Sequence, residues 1–361
     1  MKIFITGNMG YVGPGVAKQL RKSFPDAKLI GYDMGYFATS LTNAVVLPES
    51  VLDVQIFGDV RNLSTEVLEN VDAVVHLAAI SNDPMGTRYE DITLDVNYKS
   101  SINIAKLAKE AGVKSFIFAS SCSMYGAAEE KPKTEESTLN PLTAYARSKV
   151  FTEKELAPLA DSDFTVTCLR FATACGMSDR LRLDLVLNDF VAGAVASGKI
   201  NILSDGSPWR PLIHVKDMAR AIEWAITRPA SNGGEFLAIN AGSNEWNYQV
   251  KEIAQAVAEV IPGTEVFLNP DAPPDKRSYK VSFDKFKSMA PDHQPLYTLK
   301  QAIKELQEGL EMMNFKDGDF RNSLLMRLKV LTNLQDTGNI NEQLTWTNRK
   351  VQAKQTAASL T

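Results

Sequence analysis

A short apolar run, Lys2 to Thr6, passes directly into Thr6-Gly7-Asn8-Met9-Gly10-Tyr11-Val12-Gly13, and a helix-period segment follows. Three glycines at GxxGxxG spacing between a strand and a helix constrain this chain more than any other feature. Glycine permits the tight turn, lets a pyrophosphate approach the backbone and allows the helix to pack closely on the strand. The helix N-terminus then offers free N–H groups and partial positive charge to phosphates. A glycine triplet by itself also serves as a plain turn, so the context decides. Asp33 ends the second apolar run, twenty residues beyond Gly13, where a carboxylate can accept hydrogen bonds from the adenosine ribose hydroxyls. A carboxylate there repels a 2′-phosphate, and the following MGYFATS holds no Arg or Lys to balance one. NAD is therefore expected over NADP. Gly58-Asp59-Val60, after a third run, can place Asp59 against the adenine amino group, with a simple turn aspartate as the alternative.

The same strand-and-helix alternation continues. Apolar runs at Lys2 to Thr6, Leu29 to Asp33, Val54 to Phe57, Ala73 to Leu77, Ser115 to Ala119 and Thr165 to Leu169 suit strands covered on both faces. Helical periods at Gly13 to Arg21, Val96 to Lys109 and Ala144 to Leu156 lie between them. This predicts an α/β fold with a Rossmann-type, doubly wound parallel sheet and a smaller C-terminal α/β domain. The expected division is 1–175 for the dinucleotide-binding domain, 176–315 for a substrate domain interleaved with it, and 316–361 for a helical extension and tail. The stretch NPDAPPDKRSY reads as a surface or cleft loop. Near the end, RNSLLMRLKVLTNL is an apolar, basic helix candidate; Arg321 and Arg327 are among the six Lys/Arg that stand against Asp336 and Glu342. It is expected to be a packing or dimer-contact helix with a frayed terminus.

Composition narrows the partners. A formal net charge of -4 gives no electrostatic reason to expect nucleic acid. Cys122, Cys168 and Cys175 form no CxxC pair, so neither a disulfide framework nor a zinc or other metal site is suggested. No run of about 18 apolar residues exists, and the N-terminal apolar stretch is too short for a signal-peptide core. No membrane association and a cytoplasmic location are expected.

Tyr145-Ala146-Arg147-Ser148-Lys149 puts a phenol and an ammonium four residues apart on one helix face. A free tyrosine has a pKa of about 10, and a nearby cation stabilises its phenolate. Such a pair also arises by chance on exposed helices. Phe118-Ala119-Ser120-Ser121-Cys122-Ser123-Met124-Tyr125-Gly126 lifts it above chance, since strand carboxyl ends line the ligand crevice of this fold. TGNMGYVG, VVHLAA, SSCSMYG and YARSK, in this order, resemble the extended short-chain dehydrogenase/reductase family of nucleotide-sugar epimerases and dehydratases, from Met1 to about Phe286.

That resemblance implies Tyr145 as base, Lys149 as its electrostatic partner and ribose ligand, and Ser121 as the hydroxyl holding the reacting sugar oxygen. It implies a cofactor groove along Gly7, Gly10, Tyr11, Val12, Gly13, Asp33, Asp59, Val60, Leu77, Ala78, Ala79, Asn97, Ala119 and Phe171. It also implies Arg210 and Arg277 on the nucleotide diphosphate, with Asn188, Ser123 and Thr173 beside the substrate, and a homodimer through residues 96–109 and 144–156. His76 and His214 read as packed or capping residues. In the family's 4,6-dehydratases, Asp and Glu follow the residue matched by Ser121. Here Cys122 and Ser123 stand there, which argues against that elimination. A nucleotide-sugar epimerase with tightly held NAD is the first expectation. A nucleotide-sugar oxidoreductase, an atypical dehydratase and a non-catalytic NAD sensor are the alternatives. Cys122 is a candidate acid or base at a sugar carbon, with a buried apolar cysteine as the other reading. Thr173, where the family has asparagine, leaves the sugar open.

Overall fold

The structure is a computed structural model that describes residues 1–81, 83–126, 131–269 and 278–347. Twelve strands run in chain order: β1 Lys2–Thr6, β2 Lys28–Asp33, β3 Val54–Phe57, β4 Ala73–His76, β5 Ser115–Ser121, β6 Thr165–Phe171, β7 Thr173–Cys175, β8 Lys199–Ile202, β9 Trp209–His214, β10 Phe236–Ala241, β11 Asn247–Gln249 and β12 Glu265–Leu268. Seven of them form one parallel sheet in the order β10-β6-β5-β4-β1-β2-β3. The order reverses at β1 and β4, so a crevice opens at the strand carboxyl ends beside the glycine loop. The expected Rossmann-type sheet is present, and all six anticipated strands are in it. Its seventh strand, β10, comes from far beyond residue 175. Antiparallel β11 and β9 with parallel β7, and the β12/β8 pair, make two smaller sheets.

The helices are α1 Gly13–Ser23, α2 Asp83–Arg88, α3 Glu90–Leu94, α4 Ser100–Glu110, α5 Ala144–Leu156, α6 Val186–Ser197, α7 Val215–Thr227, α8 Val250–Val260, α9 Asp284–Met289, α10 Leu299–Met312 and α11 Arg327–Asp336. Pro14 sits in the first turn of α1, where a missing N–H costs nothing, and Arg21 and Lys22 sit in the last, favourably placed against the helix dipole. A π turn, Asp95–Lys99, joins α3 to α4, so the helix anticipated from Val96 begins earlier, at Glu90. α7 packs on α1 and on the main sheet, and with β10 it ties the C-terminal half into the first layer.

Buried Ile, Val, Leu and Phe fill both faces of the sheet. Within this apolar layer His76 is held by Thr6 Oγ1 (2.6 Å) and Ser101 Oγ (2.7 Å). Burial, reinforced by the charge of Lys149, holds its pKa down to about 3, so the ring is neutral. His214 caps α7 by accepting the Lys216 N–H and stacks on Tyr297. Among the described residues no helix is long and apolar enough to cross a membrane.

Candidate active site

The glycine loop is built by close approach. Gly7 has φ +73°, and a Cβ on it would stand 2.6 Å from the Ala78 nitrogen; on Gly13 it would stand 2.1 Å from the Asn8 carbonyl oxygen. Only glycine fits these two positions. Asp33, at the end of β2, locks the loop by accepting the Met9 N–H (3.0 Å) and the Gly35 N–H (2.7 Å). Burial raises its pKa, which those two donors oppose.

One cavity of about 850 Å³ runs from this loop over the ends of β4, β5 and β6. Gly7, Gly10, Tyr11, Val12, Gly13, Asp33, Asp59, Val60, Leu77, Ala78, Ala79, Ala119, Phe171, Ser121, Ser123, Thr173, Tyr145, Lys149 and Arg210 all line it. A volume of this order suits a small-molecule ligand, and the glycine loop with the acid at Asp33 suits a dinucleotide. The Asp59 carboxylate is engaged by Arg61, at 2.5 Å from Nη2 and 2.9 Å from Nε, so an adenine amino group would compete with an internal ion pair.

At the end of β5, Ser121 caps a short 3-10 turn, Cys122–Tyr125. Its Oγ accepts the Ser123 N–H (3.1 Å) and donates to Ser123 Oγ (2.9 Å). Behind the strand end, Ser120 donates to Glu153 (2.6 Å), and Glu153 is forked by Arg170. This buried, satisfied network fixes the strand end on α5. Thr143 caps α5 by accepting the Ala146 N–H (3.2 Å), and the helix presents Tyr145 and Lys149 to the cavity. The Tyr145 hydroxyl shares the cavity with the Ser121 side chain, and Lys149 Nζ donates to the Ala119 carbonyl (2.6 Å) while standing 5.5 Å from the Tyr145 ring centroid.

Burial dominates both ionisations. It pushes Tyr145 up to about 12, against the opposing influence of the Ser121 hydroxyl, and it drives Lys149 down to about 7. Among the protein groups burial dominates, so the tyrosine stands above its ordinary value.

Three anticipated contacts are corrected. Cys122 is fully buried and points away from the cavity, its thiol donating to the Arg170 carbonyl (3.0 Å), and burial raises its pKa strongly. The turn that aims Ser121 and Ser123 at the cavity rotates the residue between them into the core, so Cys122 is the buried apolar cysteine of the second reading. Asn97 spends its amide on Ile80, accepting its N–H (2.8 Å) and donating to its carbonyl (2.9 Å). It shapes the loop after β4 and does not face the groove. Asn188 likewise accepts the Gly176 N–H (3.0 Å) and donates to Tyr11 Oη (3.0 Å) and the Arg182 carbonyl (2.9 Å). Both side chains are fully buried and neither lines the cavity. Arg210 donates to the Trp209 carbonyl (2.9 Å) at the cavity edge. Arg277 lies outside the described residues.

The far wall of the cavity was not anticipated. Arg182 forks Asp184 at 2.6 and 2.9 Å and donates to Ser81 Oγ (2.9 Å), and Arg321 forks Asp189 at 2.8 and 2.6 Å. Arg327, Leu331 and Leu344 complete this wall. Leu331 and Leu344 also pack with Ile80, Met85 and Tyr89, so the C-terminal region folds back on its own chain. The charge alternation in Arg180-Leu181-Arg182-Leu183-Asp184 was the one local signal for it. Asp83, which opens α2, also lines the cavity, and its charge raises the pKa of Tyr145 whereas that of Arg182 lowers it.

Comparison with known proteins gives a consistent picture. The model of the NAD dependent epimerase/dehydratase family matches residues 3–242. A UDP-glucose 4-epimerase of Lactobacillus helveticus is 26% identical over 280 residues, covering 72% of this chain and 82% of that protein. Among solved structures, MoeE5 in complex with UDP-glucuronic acid and NAD superposes with a TM-score of 0.74 at 22% identity, covering 87% of this chain and all of that one. TunA, described as an NAD dependent NDP-hexosamine 5,6-dehydratase, gives a TM-score of 0.75 at 22% identity over 88% of this chain and 99% of its own.

Proposed function

The chain belongs to the NAD dependent epimerase/dehydratase family, and from that premise we propose that it epimerises a nucleoside-diphosphate sugar through a transient keto-sugar. The observation that carries this reading is the convergence of Tyr145, Ser121 and Lys149 on one cavity, with Ser123 in place of a carboxylate. When bound, NAD supplies the acceptor and donor for one hydride. Tyr145 takes the proton of the sugar hydroxyl as hydride leaves the carbon, and returns it when hydride comes back to the opposite face. Ser121 holds the reacting oxygen. Lys149, close beneath the Tyr145 ring, favours the phenolate whenever it is protonated. Arg210 is the nucleotide-side cation in this reading, and residues 176–315 form the sugar-binding part, interleaved with the first. The relatives named as UDP-glucose 4-epimerases support a UDP-sugar as substrate class.

Pairing of two copies through α4 and α5 belongs to the same proposal, with Phe151 on α5 41% exposed beside Tyr98 as its support. One observation favours a second reading, water elimination: the Asp83 carboxylate near Tyr145 could serve as a further acid or base. Incubating the purified chain with UDP-, GDP-, CDP- and dTDP-sugars separates the readings. An epimer of unchanged mass without net change in NADH absorbance is expected. Loss of water by mass supports the second reading, stoichiometric NADH change supports an oxidoreductase, and no product from any sugar overturns all three.

A further inference from the structure

Residues 320–347 lie beyond the stretch matched by the family, yet they close one side of the cavity. Trp346 donates its indole N–H to the Met34 carbonyl (2.6 Å), the Tyr36 hydroxyl donates to the Leu344 carbonyl, and Arg61 Nη1 donates to the Gln343 carbonyl (2.9 Å). These bonds fasten the segment to the chain just past β2 and β3. At its other end the Leu183 N–H donates to the Leu325 carbonyl (2.9 Å).

Arg327, the first residue of α11, sits under this strap with 1% of its surface exposed. Its Nη2 donates to the Arg180 carbonyl (2.6 Å) and its guanidinium lies 4.3 Å over the Phe37 ring, but its buried Nη1 has no hydrogen-bond partner. Its neighbours are all compensated: Arg180 by Glu49, Arg182 by Asp184, Arg321 by Asp189. Among the described residues no carboxylate pairs with Arg327. Burial first, and then the charge of Arg182, hold its pKa down to about 9. A buried cation with an unmet donor is costly and calls for an anion.

The surroundings say which one. Arg327 lines the same cavity as the glycine loop and stacks on Phe37, four residues past Asp33. The Tyr11 and Val12 amides have no acceptor among the described residues. A diphosphate laid on the loop would meet those amides on one side and the Arg327 fork on the other. We propose that Arg327, carried by the C-terminal strap, binds the diphosphate of the dinucleotide; this rests on the NAD-dependent reading above.

Titration calorimetry on full-length, cofactor-stripped protein tests it, with NAD as one probe and UDP as the probe of the substrate side. Arg327→Met should weaken NAD roughly ten- to a hundredfold, the worth of a charge-assisted hydrogen bond, and leave the UDP Kd within about twofold. The NAD-induced rise in Tm should shrink while the Tm of the stripped protein stays close to that of the parent, which a purely structural arginine would not do. Unchanged NAD affinity overturns the proposal, and so does weakened UDP binding with NAD intact. If R327M does not fold, R327K decides, since it keeps the charge and loses the fork: NAD should weaken several-fold, and an unaltered Kd overturns the assignment. A parent chain that binds no NAD fails the family reading first, a result distinct from either.

Discussion

The two sides of the cavity are made in different ways. On one side, Ser121, Tyr145 and Lys149 come from a strand end and a single helix within a span of 29 residues. On the other, Arg182, Asp184, Asp189, Arg321 and Arg327 are drawn from two regions more than 130 residues apart, and all but Arg327 are held in forked ion pairs. The first side places uncharged hydroxyls where protons must move. The second pairs its arginines with carboxylates and leaves Arg327 as the cation without a carboxylate among the described residues. The proposed reading needs both kinds of wall, one for proton transfer and one for charged ligands.

The sharpest way to break this contrast is Tyr145→Phe. Removing the proton carrier should lower turnover by about a thousandfold or more, at the upper part of the range for general acid–base groups, while NAD affinity and thermal stability change little. Steady-state rates on whichever sugar proves active, paired with NAD titration, check it. Retention of a tenth of the activity would mean that another group carries the proton, with Asp83 the nearest alternative.

The opposite wall should respond in the opposite manner. Asp184→Asn removes the charge that compensates Arg182, whose side chain is only 6% exposed, and leaves that guanidinium near Arg180 and Arg327. Breaking a buried pair costs about 3–5 kcal/mol. The asparagine oxygen still accepts one of the two bonds, so a loss of about 2–3 kcal/mol is expected, read from the urea midpoint at unchanged m-value. A loss below about 0.5 kcal/mol would show that the wall is solvated rather than buried, and the contrast with the Tyr145 side would collapse.

The contrast also explains what could be read from the residues alone. The six strands and the glycine loop were legible because buried parallel strands are continuous apolar runs and because Gly7 and Gly13 admit no side chain. Tyr145, Lys149 and Ser121 were legible because their spacing is local. β10 was not anticipated, since Phe236–Ala241 follows a long excursion before returning to the sheet edge. The expected packing of the C-terminal helix is present, with Leu331 in a core cluster, but its place in the cavity wall is not legible because its partners, Met34, Tyr36, Arg61 and Arg180, are far away in the chain. Asn97 and Asn188 were placed near the right loops, but a residue type says nothing of whether its amide faces a ligand or, as here, Ile80 and Gly176.

The finest distinction concerns one residue on the Tyr145 side. Ser121, Cys122 and Ser123 are consecutive, yet only the outer two line the cavity, and the thiol between them is bonded to the Arg170 carbonyl. Cys122→Ala should therefore leave turnover within about twofold of the parent and cost only about 1 kcal/mol of stability, from a lost sulfur contact in the core. A hundredfold loss of rate without unfolding would put the thiol back into the chemistry, and with it an acid or base at a sugar carbon. The expected silence of this substitution is informative for the same reason: it would keep Tyr145 of α5 as the proposed proton carrier, with Ser121 and Ser123 at the end of β5 and Lys149 beside it.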